Sequence, residues 1–218
     1  MKTIASCVED IILSQPFMEE ALSREIINFS ALAKELREPI SVMLKKPVKE
    51  GAIMMALRRY SNPIDVRTSK TLRNVFKNLG DITVRSNLSD FTFKNSQTLI
   101  DSHSKVLGKI SDKHQIFYTF TRGIFESNII ISSSERQVVA DCFMGEIQIE
   151  LQENLSAISL NLPKNNSKVA GLYYQIFKRL AWENVALYEV ISTTNEFTIL
   201  VEDQFVDKAF SVIKHLKD

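Results

Sequence analysis

The sequence predicts an α+β protein in which a helical N-terminal domain is followed by two tandem units of the same strand, helix, strand, strand, helix order. Two observations lead to this fold class. Apolar residues recur every three or four positions before residue 62, as on one face of an α-helix, and β-branched and aromatic runs appear after Gly80. The order of elements after Gly80 then occurs twice. We therefore place domains at 1–79, 80–151 and 152–218.

Four helices are predicted in the first 61 residues. The first has an apolar face made by Ile4, Cys7, Val8, Ile11 and Ile12. A second includes Phe17, Ala21 and Leu22. Ser30 is the expected N-cap of the third helix, in which Pro39 predicts a kink or a break. Pro47 is expected in the first turn of the fourth.

The first repeat follows a short helix, 68–79, that ends at Gly80. Alternating and β-branched residues predict its strands, and apolar residues at helical spacing predict its helices. In chain order the elements are a strand at 82–86, a helix at 96–110, strands at 116–120 and 128–131, and a helix at 135–143.

The second repeat begins after Gly145. Its predicted elements are strands at 147–151 and 157–162, a helix at 169–182, a strand at 185–193, a turn at Thr194-Asn195, a strand at 196–201 and a helix at 205–215. The segment 185–193 is mostly apolar, which predicts an inner strand or a dimer contact. Sheets of this kind leave one face without helices, so we expect a side-by-side tandem or a dimer.

Composition excludes several classes of protein. The net charge is +1, 44% of residues are hydrophobic and 24% are charged, as in ordinary globular proteins. No stretch approaches the ~20 apolar residues that cross a bilayer, and Glu9 and Asp10 interrupt the apolar N-terminal segment, so we expect a cytoplasmic protein. Cys7 and Cys142 lack the spacing of a disulfide framework or a zinc site, and no cofactor is expected.

The sequence shows no pattern of catalytic residues. Its six glycines are not clustered, and no GxxxxGK[ST] phosphate loop occurs. His103, His114 and His215 are scattered, without a neighbouring nucleophile or carboxylate pair, and we interpret them as surface residues. We therefore expect a protein that is not an enzyme.

The second repeat carries a pattern that is similar to a known family. The residues are Gly171-Leu172, Phe177 to Ala181, Asn184-Val185 and Val190 to Thr194. Together they resemble the run "pGv…iFeaLaeaNInv…ISts" of ACT domains and, within that family, of the regulatory domains of aspartate kinases. The first repeat resembles them by its order of elements alone. The resemblance implies two ferredoxin-like βαββα(β) ACT modules, paired with each other or in a homodimer, and a regulatory function.

The resemblance also implies an amino-acid site at the start of the helix in the second repeat. A glycine at this junction lets a ligand approach the backbone, and free N–H groups of the helix start favour a carboxylate. The expected ligand-binding residues are Asn161, Asn165, Asn166, Ser167, Lys168, Val169, Ala170, Gly171 and Leu172. In the alternative interpretation, Asn166 and Ser167 cap the helix and Gly171 serves close packing.

The N-terminal helices leave two interpretations open. From Arg37 to Lys77 there are ten basic and three acidic residues, a net charge of +7. The third helix (SALAKEL) and the fourth resemble a helix-turn-helix pair of bacterial winged-helix domains, which implies an amino-acid-responsive DNA-binding regulator. The residues expected to face phosphates are Lys45, Lys46, Lys49, Arg58 and Arg59. Alternatively, these helices only pack or pair chains, without any ligand or DNA.

Overall fold

The structure is a computed structural model that describes residues 2–15, 18, 21–22, 26–60 and 66–217, with the side chains of 66–70 left out. The chain divides into two compact units, Met1–Arg67 and Thr68–Asp218. We call them the helical unit and the sheet unit. None of the helices in the described ranges is long and apolar enough to cross a bilayer.

The helical unit contains α1 (Ile4–Leu13), α2 (Phe29–Leu44) and α3 (Glu50–Arg59). Their apolar faces meet in one core, in which Cys7, Ile12, Leu36, Ile40 and Ile53 are fully or almost fully buried. Much of the predicted second helix, including Phe17, lies outside the described residues.

Two details of α2 and α3 differ from the sequence predictions. Asn28 is the N-cap of α2 in place of Ser30, and its side-chain oxygen accepts hydrogen bonds from two backbone N–H groups at 3.0 and 3.2 Å. Pro39 does not end α2, because it lies on the exposed side, where water can replace the missing hydrogen bond. Pro47 precedes α3, whose N-cap is Lys49.

A helix, α4 (Val66–Lys77), leads into the sheet unit. The remaining elements are β1 (Ile82–Lys94), α5 (Leu99–Ile110), β2 (Tyr118–Arg122), β3 (Glu126–Ser132), α6 (Arg136–Cys142), β4 (Gln148–Asn161), α7 (Leu172–Trp182), β5 (Glu189–Ser192), β6 (Glu196–Glu202) and α8 (Val206–Lys214). They follow the predicted strand, helix, strand, strand, helix order twice.

All six strands belong to one antiparallel sheet in the order β2-β3-β1-β4-β6-β5. The two longest strands are shared between the repeats. The second half of β1 pairs with β3 and the first half of β4, whereas the first half of β1 pairs with the second half of β4, as in Val84 with Ile158. On β4, only residues 155–161 pair with β6, whose other edge pairs with β5. The predicted tandem of modules is therefore fused into one sheet.

The shared strands are related by an internal two-fold pattern. Asn87 in β1 and Asn154 in β4 both have a positive φ, 61° and 59°, next to shifts in strand register. Two residues later, the buried hydroxyl of Ser89 contacts Ser133 and that of Ser156 donates to Asp203, in the turns that precede α6 and α8. The repeat seen in the sequence is thus also a repeat of local geometry.

Two predictions about strands are wrong. The segments 147–151 and 157–162 form the single strand β4, because the polar run between them continues the strand through its bulge. The strand predicted at 185–193 is only four residues long and lies at an edge of the sheet, with Val190 39% exposed. Val185 and Leu187 pack into the core beside α7 and α8, so the segment does not make an inner strand, and the alternative of a dimer contact stays a prediction.

The two faces of the sheet are covered differently. One face packs on α5 and α6 in the first repeat and on α4, α7 and α8 in the second. On the opposite face, a smaller apolar cluster consists of Leu88, Ile130, Leu155, Ala157 and Leu200, with Phe117, Tyr188 and Ile191 packed against it. All of these lie on strands or next to them, so we call this side the helix-free face.

The sheet is curled around the helix-free face. β3 and β5 are four strand spacings apart, which would be about 19 Å in a flat sheet. Nevertheless, the side-chain amide of Asn128 on β3 donates a hydrogen bond to Glu189 on β5 at 2.9 Å. The two ends of the sheet therefore approach each other and enclose space between the repeats.

Candidate functional site

The loop before α7 contains the residues for which the resemblance implies a ligand site. Gly171 is the N-cap of α7 and has a φ of +83°, a conformation that favours glycine. A Cβ atom there would meet Leu72 at an ordinary 3.5 Å, so the backbone conformation, not crowding, selects glycine. Leu172 points into the core and is 2% exposed.

Asn166 has a structural partner on each side. Its side-chain amide donates to the backbone oxygens of Pro163 at 3.1 Å and Thr194 at 2.7 Å, and the residue is buried. It therefore ties the loop to the turn between β5 and β6. Asn161 ends β4, where its backbone oxygen accepts a hydrogen bond from Gly80.

The other loop residues expected at the site are more accessible. Asn165 has a left-handed backbone, and a single turn of 3₁₀ helix, Asn166–Lys168, follows it. Asn165, Ser167, Lys168 and Ala170 are exposed, and Val169 is half-buried. The structure thus divides the predicted set into buried residues that hold the loop and exposed ones that could contact a ligand.

A cavity of about 430 Å³ opens on the helix-free face. β1, β4, β5 and β6 contribute to its walls, and the segment 116–119 at the start of β2 closes it from the opposite end of the curled sheet. The polar residues Thr83, Arg85, Ser159, Glu196 and Thr198 lie in its lining. Both repeats contribute, because the curl brings their outer strands together.

A cluster of carboxyl groups lies on the same face. Asp90 on β1 is 2% exposed, and its Oδ1 has no hydrogen-bond partner among the described residues. Burial, followed by the neighbouring Glu189, raises the pKa of Asp90 to about 7, and a hydrogen bond from Asn128 offsets part of this rise. Burial also raises the pKa of Glu189. Asn128 therefore lies between two carboxyl groups, and the charge of Glu189 disfavours the ionised form of Asp90.

Tyr188 extends this cluster toward the second repeat. Burial, together with the nearby Asp90, Glu150 and Glu189 carboxylates, raises the pKa of its hydroxyl to about 12. The sequence analysis missed the cluster. An isolated acidic residue in the apolar strand sequence SDFTF was its only local signal. Asn128 lies on the neighbouring strand β3, but Glu189 lies on β5, which comes close to Asp90 only through the curl.

His103 was predicted to be a surface residue, and this is wrong. It lies on α5 and stacks on Phe120, with ring centroids 3.8 Å apart, and it also stacks on Tyr118. Burial lowers its pKa. It is therefore half-buried between helix and sheet, against two aromatic rings at the border of the core of the first repeat.

The basic residues of the helical unit fall into two groups. Lys45, Lys46 and Lys49 lie in the connection between α2 and α3, and Arg58 and Arg59 are at the far end of α3. All five are exposed. The ten-residue helix separates the groups by about 14 Å.

Glu50 lies in the first turn of α3, next to the N-cap Lys49, and forms an ion pair with Arg37 at 3.0 Å. In the described part of residues 2–60, all regular secondary structure is helical, so no strand of a wing is seen there.

Comparison with solved structures shows which fold the sheet unit adopts. Aspartate kinase from Clostridium acetobutylicum matches with a TM-score of 0.52 and 15% identity, over 63% of this chain and 34% of that one, so the match spans about a third of the kinase. The regulatory subunit of aspartate kinase from Thermus thermophilus matches with a TM-score of 0.51 and 8% identity, over 64% and 99% of the two chains.

A structure of aspartokinase alpha and beta subunits also matches, with a TM-score of 0.51 and 12% identity over 63% of this chain and 97% of that one. At such identities the likeness shows the fold alone. No protein-family model and no curated protein matches the sequence. The predicted likeness to regulatory domains of aspartate kinases is confirmed at the level of fold, and the winged-helix prediction is not.

Proposed function

We propose that this chain is a non-catalytic regulatory protein that binds a small amino acid between its two ACT-type repeats. One observation carries the proposal: the repeats share a curled sheet and line one cavity together. A ligand in that position would contact strands of both repeats, so its binding free energy would favour one arrangement of the pair. That is the basic requirement for a protein that reports the level of a metabolite.

The fold supports the proposal without identifying the ligand. Similar folds occur in a regulatory subunit of aspartate kinase and in the regulatory region of a whole aspartate kinase. The exposed residues near Gly171, among them Ser167 and Lys168, remain a second place at which an amino acid could bind. The DNA-binding alternative stays a hypothesis from the sequence.

Thermal unfolding in the presence of each of the twenty amino acids tests the proposal directly. A ligand at a concentration of 100 times its Kd stabilises the folded state by about 2.7 kcal/mol. For a chain of this size, that corresponds to a rise of roughly 5–10 °C in melting temperature. We expect one or a few L-amino acids to produce it and their D-enantiomers to produce less. If none of the twenty changes the melting temperature, the amino-acid function is wrong.

We also propose that the regulatory form is a homodimer that pairs through the sheet unit. The first half of β4 has no strand on its outer side among the described elements, and Ile147, Ile149 and Leu151 are 65%, 50% and 40% exposed there. An open apolar edge of this kind favours strand pairing with a second chain. Light scattering should give twice the 24.9 kDa mass of one chain.

A further inference from the structure

We infer that the cavity on the helix-free face is the binding site for a zwitterionic α-amino acid with an uncharged side chain, with Arg85 as the carboxylate partner and Glu196 as the ammonium partner. This inference rests on the proposed function and assigns it a site away from the loop at 161–172. The cavity of about 430 Å³ falls within the range of roughly 300–1,000 Å³ that small-molecule sites occupy.

The two charged residues line the cavity from different strands of the sheet. Arg85 lies on β1 and Glu196 lies on β6, with β4 between these strands. The Arg85 guanidinium donates one hydrogen bond to the backbone oxygen of Gln115 at 2.7 Å. Because a guanidinium has five donor hydrogens, this bond orients the group and leaves donors for a carboxylate.

The floor of the cavity is formed by uncharged residues. Ser159 on β4 and Thr198 on β6 contact each other through their hydroxyl oxygens at 2.6 Å. Phe117 and Ile191 supply apolar surface from the two ends of the sheet. A ligand side chain above this floor would meet hydroxyl and hydrocarbon groups, which suit a small uncharged side chain.

Thr119, in the same lining, is a second and independent indication of a polar ligand. Its hydroxyl oxygen is buried and has no hydrogen-bond partner among the described residues. A buried hydroxyl without a partner destabilises the folded chain, and a polar ligand in the cavity would supply the missing hydrogen bond. The cavity therefore combines a cation, a carboxylate and an unpaired hydroxyl around one volume.

Both charges of the ligand are needed in this arrangement, and this can be tested with matched compounds. We choose L-valine, L-valinamide, which lacks the carboxylate, and 2-hydroxy-3-methylbutanoate, which lacks the ammonium group. L-serine tests the hydroxyl groups of the floor, and L-lysine and L-glutamate test the exclusion of a third charge. Calorimetric titration of the full chain should show tighter binding of L-valine or L-serine than of any of the other four.

Three variants connect the binding to the cavity. Arg85→Gln and Glu196→Gln should each raise the Kd of the bound amino acid at least tenfold, and Arg85→Lys should lose less because it keeps the charge. Lys168→Ala tests the alternative site in the loop before α7. Lys109→Ala, at an exposed position on α5, is the matched control and should leave the Kd unchanged. Circular dichroism spectra identical to that of the unchanged chain establish that each variant is folded.

The outcomes separate this inference from the proposed function. Unchanged affinity in Arg85→Gln and Glu196→Gln, or loss of binding in Lys168→Ala alone, overturns the cavity site and leaves the amino-acid function standing. Tighter binding of L-lysine or L-glutamate overturns the uncharged side chain. Failure of every amino acid to bind the unchanged protein overturns the proposed function itself.

Discussion

At the scale of single residues, the helix-free face combines groups that would be costly to bury alone. Asp90, Asn128 and Glu189 come from three strands, and the Asn128 amide stabilises the pair of carboxyl groups by hydrogen bonding. Burial and the neighbouring Glu189 raise the pKa of Asp90 to about 7, so this carboxyl group changes its charge in the neutral range of pH.

Replacing Asp90 with Asn should change how stability depends on pH. The pKa of Asp90 is about 7 in the folded state and about 3.9 in the unfolded state. The contribution of Asp90 to the free energy of unfolding is therefore fully present below about pH 3.9, and it is lost as the pH rises to about 7. Between pH 5 and pH 8 the unchanged protein should lose about 2–3 kcal/mol through this group. Urea unfolding of Asp90→Asn should show a smaller loss.

An exposed carboxyl provides the control for that experiment. Asp112 follows α5 and is exposed, so Asp112→Asn should retain the pH dependence of the unchanged protein. If the free energy of unfolding depends on pH equally in Asp90→Asn and in the unchanged protein, the Asp90 carboxyl does not have the raised pKa on which this prediction depends.

At the scale of elements, α4 belongs with the sheet and not with the helices that precede it in sequence. Phe76 and Leu79 are 8% and 7% exposed and belong to the same core as Ile176 on α7 and Ile213 on α8. Gly80 continues this attachment, because its backbone oxygen accepts a hydrogen bond from Lys217 at 2.7 Å. The helix therefore closes one end of the core of the second repeat.

Phe76→Ala should destabilise the sheet unit by about 3–5 kcal/mol, the usual cost of removing a buried phenylalanine ring. Hydrogen exchange measured by mass spectrometry should show faster exchange in β4, β6 and α8. Lys77→Ala, at the neighbouring exposed position, should leave these rates nearly unchanged. Faster exchange confined to residues 2–60 would contradict the assignment of α4 to the sheet.

The sequence predicted the order of these elements and missed their continuity. The repeated order was readable because helix and strand periods differ clearly in segments such as Leu99–Ile110 and Glu196–Glu202. β4 appeared as two strands because Gln152, Glu153 and Asn154 interrupt the apolar alternation at a bulge. A bulge keeps the strand but reverses which side chains face the core, and local patterning cannot distinguish this from a loop.

The candidate site was less predictable than the fold. The sequence placed Gly171 at the start of α7, where its left-handed backbone conformation is one that glycine favours, and its role in a ligand site stays a prediction. Arg85 and Glu196 were not, because they are 111 positions apart in sequence and share a cavity only after β1, β4 and β6 have paired. Charged residues on the exposed side of a strand look alike in sequence whether or not the sheet curls over them.

At the scale of the whole molecule, the shared strands couple the two repeats. Each repeat has its own core against its helices, yet β1 and β4 pass through both. Breaking the pairing of either strand exposes backbone groups in both halves at once. The sheet unit should therefore unfold as one cooperative body.

Equivalent core substitutions in the two repeats test this coupling. Phe93→Leu in the first core and Phe197→Leu in the second should each cost roughly 1–3 kcal/mol. We expect each variant to increase the hydrogen exchange of β3 and β6 alike. Increased exchange limited to the repeat that carries the substitution would show two independent folding units.

The strands that run through both repeats also have a consequence for inheritance. A gene segment that encoded only residues 152–218 would produce β4 without the neighbour that β1 supplies, and a segment for 80–151 would lack the second half of β4. Neither segment could be copied into another gene as a complete domain. We therefore expect this pair of repeats to be duplicated or transferred only as a whole.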